Sequence, residues 1–123
     1  MTKILVSDDS AFMRSIITNT LREAQYTDIV EAEDGEEAIA LYRSEKPDIV
    51  LLDINMPKLD GLSVLETIAP EGATVIMISA IGQQKFIDKA LETGAKDFFI
   101  KPYAIKTDLV SKINCLSNEP SHD

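Results

Sequence analysis

The stretch Asp48-Ile49-Val50-Leu51-Leu52-Asp53 decides the fold of this chain. Four consecutive apolar residues stand between two aspartates, and a short apolar run with no polar face is typical of a strand buried on both sides. Strands of this kind form parallel sheets that are covered by helices on both faces. Asp53 then lies at the carboxyl end of the strand, which is where open α/β sheets bind their ligands. We therefore expect the Asp53 carboxylate to be presented to solvent and ligands and not buried in the core.

The rest of the chain alternates strand-like and helix-like segments. Further strands are predicted at residues 3–7, 28–33, 74–79 and 97–100, and the alternating acids of the second are typical of an edge strand. Helices are predicted from caps at Ser10 and Asp34-Gly35, from a start at Gly82, and from apolar residues at helical spacing. The residues at this spacing are Phe12, Met13, Ile16, Ile17, Thr20, Leu21 and Ala24 in the first helix, Ala38, Ile39, Leu41 and Tyr42 in the second, Leu62, Leu65 and Ile68 in the third, Phe86, Ile87, Ala90 and Leu91 in the fourth, and Ile105, Leu109, Ile113 and Leu116 in the fifth. Five strands alternating with five helices predict an α/β fold with right-handed crossovers and a parallel sheet, although spacing alone leaves the strand order open.

Composition limits the possible functions. The 123 residues are 45% hydrophobic and 27% charged, as in one ordinary globular domain, which we place at residues 1–117 with a polar tail at 118–123. The net charge of -9 argues against a nucleic-acid surface. The single Cys115 cannot form an internal disulfide, and we find neither a leader nor a long apolar run, so we expect a cytoplasmic protein without membrane insertion. The single His122 lies in the tail, which excludes Ser-His-Asp catalysis and a histidine-rich zinc site.

Polar residues follow four of the five predicted strands, at what must be one edge of a parallel sheet. Asp8 and Asp9 follow the first strand, Asp53 the third, Ser79 the fourth and Lys101 the fifth. Three converging carboxylates repel one another, so they require a cation, and oxygen ligands with open positions suit Mg²⁺. Lys101 and Ser79 are suitable donors to a phosphoryl group. Asp53 is the best-placed nucleophile, because a carboxylate can accept a phosphoryl group as an aspartyl phosphate.

Taken singly, these residues have simpler explanations. Asp8 or Asp9 alone is more often a helix cap, Ser79 a turn residue and Lys101 a solvated charge. The joint pattern favours a phosphoryl site, because four strand ends all carry groups that one such site needs. The first strand–helix turn is acidic where a dinucleotide fold needs glycines, and the sequence has no Gly-Lys-Ser/Thr loop for a P-loop nucleotidase.

Several short motifs together resemble the receiver domain of bacterial response regulators, over residues 3–116. They are Asp8-Asp9, Asp53 with Ile54-Asn55-Met56-Pro57, Asp60-Gly61, Ser79-Ala80 and Lys101-Pro102. The resemblance implies a flavodoxin-like five-stranded parallel sheet of order 2-1-3-4-5, with helices on both faces. It also implies that Asp53 accepts phosphate from a histidine kinase. In the implied site Asp9, Asp53 and the Asn55 carbonyl bind Mg²⁺, for which Mn²⁺ can substitute, Asp8 assists through water, Ser79 and Lys101 hold the phosphoryl group, and the peptide bond before Pro102 is cis.

The same resemblance implies a conformational switch. Ser79 moves toward the phosphoryl group, and Phe98, at a position where tyrosine is common, turns into the space, which remodels the fourth helix, the last strand and the fifth helix. Residues 8–14 and 79–84 resemble chemotaxis regulators of the CheY type. The implied partners are a histidine kinase and a downstream protein such as a flagellar switch component or a phosphatase, acting on a monomer.

Other functions stay open at this point. A phosphorelay carrier would pass phosphate from Asp53 to a histidine phosphotransfer protein. A Mg²⁺-dependent phosphohydrolase would use the same aspartyl-phosphate chemistry, but such enzymes usually need an acid two residues after the nucleophile, where this chain has Asn55. A receiver from a DNA-binding regulator is disfavoured by the short polar tail.

Overall fold

The computed structural model describes residues 2–80, 82–101 and 108–118. The strands are β1 (Lys3–Ser7), β2 (Asp28–Ala32), β3 (Ile49–Leu52), β4 (Val75–Ser79) and β5 (Asp97–Ile100). They form one parallel sheet in the order β2-β1-β3-β4-β5. The flavodoxin-like strand order and the edge position of the second strand are thus confirmed, and the apolar run that follows Asp48 forms the central strand.

Five helices connect and cover these strands. They are α1 (Ala11–Glu23), α2 (Gly35–Glu45), α3 (Gly61–Ile68), α4 (Gln84–Thr93) and α5 (Val110–Asn118), and a 3₁₀ turn (Ala69–Glu71) follows α3. The predicted caps are present, since Ser10 Oγ accepts from the Met13 amide at 3.2 Å and Asp34 Oδ1 accepts from the Glu37 amide at 2.8 Å. Among the described residues no helix is long and apolar enough to cross a membrane.

The core consists of two layers, one on each face of the sheet. Alternate residues of the central strands point to opposite faces, which is why these strands are apolar throughout. The α1 and α5 side holds Ile4, Val6, Ile49, Leu51, Ile76 and Ile78 against Ile17, Leu21, Leu109 and Ile113. The α2, α3 and α4 side holds Leu5, Val50, Leu52, Val75 and Met77 against Ala38, Val64, Leu65, Ile68 and Ala90. Both layers fix the strand ends that carry the polar residues.

Two large apolar residues of the predicted helical patterns are exposed. Leu91 is 45% exposed, so its predicted inward placement was wrong, and Phe12 is 73% exposed although it belongs to the helical spacing of α1. At about 100° per residue, Leu91 lies about 100° around its helix from the buried Ala90, and Phe12 lies about 140° from the buried Ile17, so both are away from the centre of the apolar stripe. The predicted start of the fourth helix at Gly82 was two residues early. Ile105, which we predicted in the fifth helix, lies outside the described residues.

The loop between β3 and α3 folds back tightly onto the end of β3. A Cβ atom on Gly61 would lie 2.0 Å from the backbone oxygen of Asp53, and one on Gly35 would lie 1.9 Å from that of Leu59. The Gly61 amide donates to the Ile54 carbonyl at 2.7 Å. Asp60 caps α3 by accepting from the Ser63 amide at 2.8 Å. The backbone around Asp53 is therefore held by close packing that only glycine permits.

We expect Gly61→Ala to lower the free energy of unfolding by about 1–3 kcal/mol, because the new methyl group must displace backbone. Gly82→Ala is the matched control, since its Cβ would meet only the side chain of Ile100, with Cδ1 at 2.6 Å and Cγ1 at 3.4 Å, and a side-chain rotation can move these atoms. Urea unfolding of both variants measures the difference. Equal stabilities for the two variants would contradict this account of the loop.

Candidate functional site

The carboxyl ends of β1 and β3 bring Asp8, Asp9 and Asp53 together. One carboxylate oxygen from each lies within 4.8 Å of the other two. The two strands are neighbours, with Ser7 paired to Leu52, and the Asp53 amide donates to the Ser7 carbonyl at 3.0 Å. The sheet register therefore places the aspartates that follow these strands side by side.

The side chain of Lys101 enters this cluster from the end of β5. Its Nζ lies 2.7 Å from Oδ2 of Asp8 and 3.3 Å from Oδ2 of Asp53, and the side chain is only 10% exposed. Burial by itself lowers the pKa of Lys101, but the hydrogen bond to Asp8 and the charges of both aspartates outweigh it and raise the pKa above its usual value. The ammonium group therefore stays charged and supplies the cation that converging carboxylates require.

Asp53 is buried, with 5% of its surface exposed, so the expectation that it faces solvent was wrong. The cause is packing by residues distant in the chain or across the loop, since the backbone of Gly61 packs against its carbonyl and Lys101 lies against its carboxylate. Burial raises the pKa of Asp53 to about 6, against the opposing charge of Lys101 and with a further upward contribution from Asp8. At neutral pH the carboxylate form still predominates.

Asp8 and Asp9 differ in their environments. Asp8 is 1% exposed, and its Oδ1 accepts from the Ser10 amide at 2.9 Å, while Asp9 is exposed. Neither is the N-cap of α1, which is Ser10. The cluster therefore has a buried side, at Asp8 and Asp53, and an open side at Asp9.

The other predicted site residues surround this cluster to different degrees. Ser79 is fully buried at the end of β4, and its carbonyl accepts from the Lys101 amide at 2.9 Å, which joins the ends of β4 and β5. Asn55 is exposed in the loop after β3. Phe98 in β5 is half-buried and packs against the core layer on the α2, α3 and α4 side. Pro102, which we predicted to follow a cis peptide bond, lies outside the described residues.

One residue beside the cluster carried no role in the sequence analysis. Arg14, in α1, donates from Nη1 to the backbone carbonyl of Asp8 at 2.6 Å and pairs through Nε with Glu31 at 3.0 Å. The sequence gives little indication of this contact, because a basic residue one turn into a helix is usually a solvated charge. A hydrogen bond to a backbone carbonyl also requires no particular side chain at the acceptor residue.

The donor set fits a hard divalent cation. Three carboxylates offer oxygen ligands from one small region, and Mg²⁺ binds in proteins through one or two carboxylates while keeping open positions. Neither thiol nor imidazole belongs to the cluster, so nothing in it favours a softer metal. The exposed side of Asp9 leaves an approach from solvent.

Comparison with known proteins agrees with the fold. The family model for the response regulator receiver domain matches residues 4–114. The chemotaxis protein CheY of Listeria monocytogenes is 47% identical over 105 residues, 84% of this chain and 88% of that protein, and CheY of Bacillus subtilis is 42% identical over 103 residues, 82% and 86% of the two chains. The CheY chain in the crystal structure of the CheX-CheY-BeF3-Mg²⁺ complex from Borrelia burgdorferi matches with a TM-score of 0.82 at 35% identity, covering 98% of this chain and 89% of that one.

The chain belongs to the family of response regulator receiver domains, with CheY-like chemotaxis regulators among its relatives. Receiver domains are phospho-accepting switches of two-component systems, they bind Mg²⁺ at an acidic pocket, and they work with kinase and target partners. The predicted family is confirmed. The division into residues 1–117 and a tail at 118–123 stays a prediction.

The raised pKa of Asp53 gives the metal-free protein a pH-dependent stability. Below about pH 4 this carboxyl is protonated in both folded and unfolded states and has no effect. Between about pH 4 and pH 6 the unfolded state ionises first, so unfolding becomes easier as pH rises, and above pH 6 the full penalty of up to about 3 kcal/mol is present. Asp53→Asn removes this penalty, so we expect the variant to gain stability relative to the parent as pH rises from 4 to 7.

Urea unfolding with a chelator at several pH values measures this difference. Glu66→Gln, at an exposed position of α3, is the control and should show no such trend. A stability difference between the Asp53→Asn variant and the parent that does not change with pH would contradict the assignment of the raised pKa to burial of Asp53.

Proposed function

We propose that this chain is a cytoplasmic, CheY-like response regulator in which Asp53 accepts a phosphoryl group from a histidine kinase and another protein reads the resulting change. The observation that carries this proposal is the buried Asp53 carboxylate beside Lys101 and Asp8, at the carboxyl edge of a parallel sheet. The identity of 47% to a chemotaxis protein over most of both chains favours a role in chemotaxis. The family assignment favours this switch over the phosphohydrolase alternative.

The chain's own residues account for the transfer. An Asp53 carboxylate oxygen attacks the phosphorus of a phosphohistidine, so that an O–P bond forms as the N–P bond breaks. The electron pair of that bond returns to the imidazole, which takes a proton from solvent. Lys101, already 3.3 Å from Asp53, can then donate to an oxygen of the bound phosphoryl group, with the Ser79 hydroxyl as a second donor.

The residues that would hold Mg²⁺ are Asp9, Asp53 and the Asn55 carbonyl, with Asp8 acting through water. When bound, the ion supplies positive charge that offsets the charge of the transferring phosphoryl oxygens. The grouping of three aspartate oxygens supports this assignment, as does the presence of BeF3 and Mg²⁺ in the structure of the related Borrelia protein. That structure also contains a second protein, CheX, which supports a protein partner for the chain described here.

The same proposal includes a switch from Ser79 to Phe98. Ser79 is the last residue of β4, beside the site, and Phe98 lies on the neighbouring strand β5. Phe98 is only half-buried and packs against the core layer on the α2, α3 and α4 side, which contains Met77. A shift of Ser79 toward the phosphoryl group would change the space beside β5, and the Phe98 ring is the group that can move into it. The surface formed by α4, β5 and α5 then differs between the two states.

We expect incubation with Mg²⁺ and acetyl phosphate to add the mass of one phosphoryl group to the parent protein. The gain should be absent in Asp53→Asn and in the presence of a chelator, and strongly reduced in Lys101→Met, because the phosphoryl oxygens lose their fixed cation. Intact-mass spectrometry measures each case, with Glu66→Gln as a variant that should behave like the parent. An equal mass gain in the Asp53→Asn variant would refute the proposed acceptor.

The switch gives a separate expectation for Phe98. With phenylalanine rings labelled for NMR, the Phe98 signal, assigned through Phe98→Leu, should shift when the parent is phosphorylated. Ser79→Ala should still be phosphorylated at Asp53 but should lose most of this shift in the Phe98 signal, because it lacks the hydroxyl that moves toward the phosphoryl group. An unchanged Phe98 signal in the phosphorylated parent would argue against this residue as the switch.

A further inference from the structure

We propose that Arg14 is a positioning residue for the divalent-cation site: its guanidinium fixes the peptide between Asp8 and Asp9 and so directs the Asp9 carboxylate toward the ion. This inference rests on the proposed function, because it concerns how the Mg²⁺ site of that function is built. Arg14 itself does not touch the phosphoryl group or the ion in this account. It acts through the backbone.

Arg14 is held in a defined position by two hydrogen bonds and one longer ion pair. Its Nη1 donates to the Asp8 carbonyl at 2.6 Å, its Nε to Glu31 Oε1 at 3.0 Å, and its second terminal nitrogen lies 3.8 Å from Glu33 Oε1. The side chain is only 12% exposed, although it carries a full charge. A planar guanidinium engaged on two sides has little freedom, so it presents its remaining donor in one direction.

Every backbone and side-chain polar group of Asp8 has a hydrogen-bond partner, and the partner of its carbonyl is Arg14. The amide of Asp8 donates to the Ala32 carbonyl at 3.1 Å. Its two carboxylate oxygens accept from the Ser10 amide at 2.9 Å and from Lys101 at 2.7 Å. With the carbonyl bonded to Arg14, the whole residue is fixed by groups from α1, β2 and the end of β5.

Asp9 depends on this arrangement more than Asp8 does. A peptide unit is planar, so fixing the carbonyl of Asp8 also fixes the direction in which the chain enters Asp9. The Asp9 carboxylate is exposed, and no other residue in the described part of the chain gives it a hydrogen bond or an ion pair. Its placement beside Asp8 and Asp53 therefore comes from the backbone, and Arg14 holds that backbone.

A purely electrostatic role for Arg14 makes the opposite prediction. Removing a positive charge near an acidic cluster should strengthen the binding of a cation, because the cluster becomes more negative. Removing a residue that positions a ligand should weaken binding, and loss of such supporting interactions typically costs about 10–100-fold in metal affinity. The direction of the change thus separates the two roles.

The test is direct titration of the full chain with Mn²⁺, followed by electron paramagnetic resonance, with competition by Mg²⁺. Arg14→Met keeps most of the aliphatic stem and removes the donors. Arg43→Met is the matched control, because Arg43 also forms an ion pair on the surface, at 2.7 Å to Glu71, far from the cluster, and each variant changes the net charge of -9 by the same single unit. We expect binding to weaken about 10-fold in Arg14→Met and to stay unchanged in Arg43→Met.

Further measurements keep the inference open to refutation. Circular dichroism shows whether Arg14→Met is folded, and if it is not, Arg14→Gln, which keeps a polar end but is too short for the same bond, decides the question in its place. Equal or tighter Mn²⁺ binding in a folded Arg14 variant overturns the positioning role while the parent still binds Mn²⁺ and gains a phosphoryl group. Absence of Mn²⁺ binding in the parent itself overturns the proposed function, and the inference with it.

Discussion

The contact of Lys101 with Asp8 and Asp53 is the interaction on which the rest of the site depends. Two carboxylates that are 1% and 5% exposed cannot lie side by side without a cation, because little water screens their repulsion. Removing one partner from such a buried group typically costs about 3–5 kcal/mol. Lys101 is separated from Asp8 by 93 positions in the chain, so the site exists only when β5 has joined the sheet. The site therefore depends on the long-range contacts that complete the sheet.

The charges of the cluster also explain what it can bind. Asp8, Asp9 and Asp53 carry three negative charges, and Lys101 contributes one positive charge, which leaves an excess of two. One divalent cation offsets that excess, and a phosphoryl group on Asp53 changes the balance again by adding about one negative charge. The same small set of groups is thus suited to binding an ion, to accepting a phosphoryl group and to responding to it. A residue that responds to the change in charge needs only to lie beside the cluster, as Ser79 does.

Those parts of the structure that depend on local pattern could be predicted from the sequence. The strands were found from short apolar runs, and the caps at Ser10 and Asp34 were found from residue type and position, because each depends on a few neighbouring residues. The strand order came from the resemblance to a family and not from spacing. The burial of Asp53 was missed because it depends on Gly61 and Lys101, which approach it only in the folded chain. Leu91 was misplaced because a residue at the margin of an apolar stripe can face either way.

Arg14 shows a limit of a different kind. Arg14 acts by donating a hydrogen bond to the backbone carbonyl of Asp8. Every residue has such a carbonyl, so the identity of the side chain at the acceptor position does not reveal the contact in the sequence. Of the acids that hold it, Glu31 lies on the edge strand β2 and Glu33 lies just after it, and alternating charge there already has a sufficient explanation in keeping the edge soluble. Lys101 and Arg14 therefore have different roles at Asp8. The lysine balances the charge of the Asp8 carboxylate, and the arginine fixes the peptide between Asp8 and Asp9. The lysine and the aspartates whose charge it balances form a motif that can be recognised in the sequence. The contact by which Arg14 fixes the direction of the peptide can be found only from the distances in the structure.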